Sequence, residues 1–133
     1  MKRLLLAVFL FTMAAVAAFA QTSVIELGRK IKIDDNYSYI FEFAERAKLG
    51  PATLRVELLD KDGKKTNDLS ITVYSYMPSM KGHHDENRIF SVNKSNQNYL
   101  ALINFVMRGQ YRLEINFFKE GKLYHTGIYD IKI

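Results

Sequence analysis

Two thioethers, two imidazoles and a carboxylate gather in one short stretch, Met77-Pro78-Ser79-Met80-Lys81-Gly82-His83-His84-Asp85. It holds two of the three histidines in the chain. Pro78 and Gly82 stop the stretch from continuing as strand or helix, so it reads as a loop. Thioether sulfur with imidazole nitrogen is a donor set that suits copper: Met prefers Cu(I), and His serves Cu(I) and Cu(II) alike. The plain readings stand beside that one. Met77 is in phase with Leu69, Ile71, Val73 and Ser75 and could be a core residue. Met80 lies beyond Pro78, where strand phase no longer applies. A pair of loop histidines is ordinarily just solvated. Where the chain is extended, only one of His83 and His84 can face a site shared with Met80. Asp85 and Glu86 read either as loop charges or as partners orienting a ligating imidazole.

The elements that must position this loop are strands. Leu69 to Tyr76 leads into it. Tyr37-Ser38-Tyr39-Ile40-Phe41-Glu42-Phe43 and Tyr111-Arg112-Leu113-Glu114-Ile115-Asn116-Phe117 alternate with period two and predict half-buried strands. Val24 to Ile33 reads as one strand bent at Gly28, and Ala52 to Leu58 as another. Arg88 to Val92 reads as a short edge strand, and Leu123 to Ile133 as the last. Tyr99 to Met107 is apolar on both faces and predicts a central strand, with Met107 in phase with Phe105 as a core residue. Ala44 to Leu49 could add a helical turn. Asp62-Gly63 marks a hairpin-type turn. The neighbouring Asp60 and Asp62 lack the spacing of a calcium loop. His125, inside the last strand, reads as structural. About seven short strands with Gly, Asn and Asp turns predict an all-β, two-sheet antiparallel sandwich, with an eight-stranded barrel as the runner-up.

Residues 1–20 read as a signal peptide: Met1-Lys2-Arg3, an apolar run from Leu4 to Phe19, and the small-x-small site Ala18-Phe19-Ala20. An uncleaved anchor is the rival. Cleavage places a single domain at residues 21–133, periplasmic or secreted. The chain has no cysteine, so no disulfide holds that domain and a packed apolar core must. Removing Lys2 and Arg3 lowers the formal charge from +5 to +3, and the remainder is scattered. No basic stripe with interleaved aromatics predicts nucleic acid binding. No thiol nucleophile, Gly-x-Ser-x-Gly elbow, His-Glu-x-x-His helix or phosphate loop is present, and no enzyme is expected.

Met77-Pro78-Ser79-Met80 with His83, followed later by Phe105-Val106-Met107-Arg108-Gly109-Gln110-Tyr111, resembles the YtkA-like domain, which is related to the FixH proteins of respiratory copper-enzyme assembly. The resemblance covers roughly Tyr37 to Ile133. It implies an immunoglobulin-like β-sandwich that handles copper outside the cytoplasm, with Met77, Met80, His83 and Met107 as ligands. His84 is the alternative imidazole. The expected function is a copper-binding accessory or carrier protein that passes its ion to a membrane or periplasmic recipient. The alternative is a metal-free envelope sandwich acting as an interaction module, whose sign would be Met77 and Met107 buried far apart.

Overall fold

A computed structural model describes residues 26–80 and 97–133 throughout, and the backbone of 21–24, 86–89 and 91–93. Its strands are β1 (Gln21–Val24), β2 (Ile31–Lys32), β3 (Tyr37–Phe43), β4 (Gly50–Asp60), β5 (Ser70–Tyr76), β6 (Glu86–Ile89), β7 (Ser91–Asn93), β8 (Asn98–Phe105), β9 (Gln110–Lys119) and β10 (Lys122–Lys132). One sheet has the order β1-β10-β9-β5-β6 and the other β2-β3-β4-β8-β7. Every pairing is antiparallel except that of β1 with β10. The central strands run β3-β4-β8-β7 against β10-β9-β5-β6, the Greek-key order of an immunoglobulin-like sandwich.

The alternating strands form where their patterns predict. Tyr111, Leu113, Ile115 and Phe117 of β9 are buried, and Tyr37, Tyr39 and Phe41 of β3 face them across the sandwich. Tyr39 stacks on Phe117 with ring centroids 4.6 Å apart. Tyr99 donates its hydroxyl to the Leu69 carbonyl at 2.7 Å, tying β8 to the entry of β5 in the opposite sheet. Burying side chains of this size contributes about 1.5–3 kcal/mol each, which is what a chain without disulfides must rely on.

Four expectations need correction. Val24 to Ile33 is not one strand: β1 joins one sheet and β2 the other. The segment expected as a single strand over Arg88 to Val92 likewise divides into β6 and β7, in different sheets. Ala44 to Leu49 forms bends and no helical turn. The strand expected over Tyr99 to Met107 ends at Phe105 and has one solvent face, on which Leu102 is 61% exposed. The turn at Asp62-Gly63 does form, with the Gly63 amide donating to the Asp60 carbonyl at 3.0 Å. It folds the chain back on the end of β4, where Leu59 and Lys65 form an antiparallel bridge, before β5 joins the other sheet.

His125 is buried on β10 against the rings of both Tyr39 and Phe117, at 6.0 and 5.8 Å. Burial pushes its pKa below the ordinary value of 6.5, and the nearby Asp34 carboxylate offsets this only in part. The unfolded chain therefore binds a proton more readily than the native state, and stability falls as pH drops below about 6.5. His125 alone can supply a slope of at most about 1.4 kcal/mol per pH unit. Urea unfolding at a series of pH values should show stability falling below about pH 6.5 within that bound, and His125→Phe should flatten the fall.

Candidate functional site

The β3–β4 and β8–β9 connections, residues 77–80 after β5 and the end of β10 all lie at one end of the sandwich. Gly50 pairs with Phe105, Tyr76 with Arg112 and Lys132 with Gln110. The methionine loop and Met107 therefore share that end. Met77 directly follows β5 and is 5% exposed, a core residue as its phase predicts. Pro78–Met80 then makes one 3₁₀ turn, closed by the Met80 amide donating to the Met77 carbonyl at 2.9 Å. Met80 is half-buried against the core.

Met107 arrives from the other sheet. The chain leaves β8 at Phe105 and turns through Gly109, whose φ is +146°. A Cβ built on Gly109 would lie 2.4 Å from the terminal methyl of Met77. Met77 is thus packed against the backbone two residues from Met107. The Met107 side chain is 37% exposed, because the strand has already ended and phase with Phe105 no longer governs it.

Two features hold this turn. Tyr111, at the start of β9, donates its hydroxyl to the Met107 carbonyl at 2.8 Å and accepts the Met107 amide at 3.3 Å. This is the tyrosine corner of immunoglobulin-like domains. Below it, the Tyr111 ring meets Phe105 edge to face at 4.9 Å, and Phe105 meets Phe43 at 6.2 Å. Gly109 also exchanges backbone hydrogen bonds with Ile133, at 3.1 and 2.9 Å. Tyr111 and Gly109 belong to the aromatic-x-Met-x-Gly-x-aromatic pattern noted above, but sequence gave no sign that Tyr111 clamps Met107. The Ile133 contact is long-range and left no signal at all. Tyr111→Phe should cost about 1–1.5 kcal/mol by removing these partly buried bonds while keeping the buried ring. Urea unfolding measures the cost, and the Met107 methyl resonance should broaden or shift.

The structure therefore brings together Met77, Met80 and the backbone of Met107. His83 and His84 lie outside the described residues. Among the described residues, no group of three or more His, Asp or Glu side chains could hold a metal ion. Also among the described residues, no helix is long and apolar enough to cross a membrane.

The fold is an immunoglobulin-like sandwich, with Met77, Met80 and the turn that bears Met107 at one end. The YtkA-like family profile matches residues 32–116, which include both methionine segments and Tyr111. The chain belongs to the YtkA-like family. No curated protein and no solved structure matched the chain in the two further searches.

Proposed function

We propose that this protein is an extracytoplasmic copper-binding accessory or carrier protein. Its soft donors are Met77, Met80 and Met107, completed by an imidazole from His83 or His84. The observation that carries this reading is the packing of the Met77 methyl against Gly109, which joins the loop after β5 to the turn that bears Met107. Three residues of chain reach at most about 10 Å, so His83 is within covalent range of the Met80 position.

Thioether ligands favour Cu(I), and an imidazole would let the site retain Cu(II). The unequal exposure of the sulfur residues suits a carrier. Met77 is fixed in the core, while Met107 stands half in solvent where an incoming donor can replace it first. Handover then proceeds by ligand exchange: each copper–sulfur bond broken is matched by one formed on the recipient, and the oxidation state is unchanged.

Titration with Cu(I) under reducing conditions against a competing chelator tests the reading. Uptake of one ion is expected, and Met80→Ala combined with His83→Ala should weaken it more than about tenfold, since loss even of outer partners of metal ligands costs that much. Unchanged affinity in the double variant would remove the site assignment.

A further inference from the structure

The arginines divide by whether they are ion-paired, and Arg112, paired with Asp130, already lies near the methionine end. Of the five arginines whose side chains are described, Arg29, Arg55 and Arg112 form ion pairs, with Glu26, Glu42 and Asp130. The other two, Arg46 and Arg108, form none among the described residues, and both are exposed at this end. Arg46 lies in the β3–β4 connection, and Arg108 follows Met107. Lys48 and Lys132 add further positive charge there.

Exposed Glu45 adjoins Arg46 in the same connection, and exposed apolar residues stand beside these charges. Leu49 is 47% exposed and Val106 56%, and they stand one residue beyond the paired Gly50 and Phe105 at the end of the sheet. Met107 adjoins Val106. Two guanidinium groups that form no ion pair among the described residues thus share this end with an exposed apolar group that includes Met107, the most exposed of the three proposed methionine ligands.

We infer that this end docks a protein surface presenting carboxylates around an apolar centre, with Arg46 and Arg108 as the charged anchors. The inference names the chemistry of the recipient and takes its purpose from the copper-carrier reading, although the contact itself does not require copper. A guanidinium presents a planar fork that fits a carboxylate with two parallel hydrogen bonds, and a free fork is what such a partner needs. Complementary charge also raises the rate of encounter. There is a consequence for the ion. Cations around a Cu(I) site repel it, and carboxylates brought by a partner relieve that repulsion and supply a local environment in which copper can pass across. Apolar residues beside basic ones are equally the composition of a surface that enters anionic lipid. A phosphatidylglycerol surface, however, offers only oxygen donors, which suit Cu(I) poorly, so the site favours a protein.

The test uses two synthetic peptides of equal methionine content, one rich in glutamate and the other with glutamine in its place, and vesicles of phosphatidylglycerol. The copper-free full domain should bind the glutamate peptide about tenfold more tightly, the size expected of two exposed charge pairs. The preference should fade with added salt. Arg46→Glu combined with Arg108→Glu should abolish it while leaving the thermal midpoint unchanged. If that variant fails to fold, Arg46→Gln and Arg108→Gln separately should each reduce the preference. Equal binding of both peptides, a preference untouched by these variants, or selective binding to the vesicles overturns the inference. The same samples are then titrated with Cu(I). A domain that discriminates the peptides but takes up no copper keeps this surface and loses the carrier reading. One that binds copper but does not discriminate keeps the carrier reading and loses this surface.

Discussion

Phe105→Ala is expected to destabilise the domain by about 4 kcal/mol, near the middle of the range for truncating a buried aromatic. Phe105 is fully buried at the last position of β8, between Phe43 and Tyr111. Its ring supports Tyr111, whose hydroxyl holds both polar groups of Met107. Removing the ring therefore opens a cavity under the turn that carries the exposed thioether, and the two effects should appear together. Urea unfolding gives the first. The second should be visible as movement or broadening of the Met107 and Met77 methyl resonances. A domain of this size has about 5–15 kcal/mol in all, so the alanine variant could be partly unfolded at the outset. Phe105→Leu, expected to cost less than about 1.5 kcal/mol, then tests the same support in a folded protein. A loss under about 2 kcal/mol for Phe105→Ala, with both methyl signals unmoved, would contradict the described packing.

Gly109→Ala has the next largest effect. At φ +146° the residue occupies backbone space that side chains rarely adopt, and the strain of holding alanine there is about 1–3 kcal/mol. The added Cβ would also collide with the Met77 methyl. Which of these dominates can be decided. The methyl is the far end of a flexible side chain and can swing away, whereas the backbone angle is fixed by the hydrogen bonds to Ile133 and the tyrosine corner. Most of the cost should therefore be backbone strain. Met77→Leu, which withdraws the terminal methyl, should recover little of it. Full recovery in the double variant would mean that the collision was the main term after all. Under the copper reading, Gly109→Ala in an otherwise native chain should also weaken Cu(I), because Met77 must move to make room.

The long alternating strands were legible because their burial obeys a local rule. Tyr37 to Phe43 and Tyr111 to Phe117 show period two, and each has one face in the core. Period says nothing about which sheet a strand joins. That is why Val24 to Ile33 and Arg88 to Val92 read as single strands when each divides between the two sheets. Met107 shows a second limit. The apolar pattern of β8 runs on through Val106 and Met107, yet pairing stops at Phe105 and the turn faces Met107 outward. Burial of Met77 was readable from phase, but its place beside Gly109 was not, since it depends on two connections from opposite sheets meeting at one end. Arg46 and Arg108 carried no pattern at all. Their common location follows from the strand order alone.

The pairing of Ile133 with Gly109 decides how the protein should be handled in the laboratory. Any affinity tag joined after Ile133 would emerge beside the thioethers, and a polyhistidine tag there would supply competing imidazoles of its own. Gln21 pairs with His125, further from that end along β10, so a tag fused ahead of Gln21 is the safer choice for metal titrations.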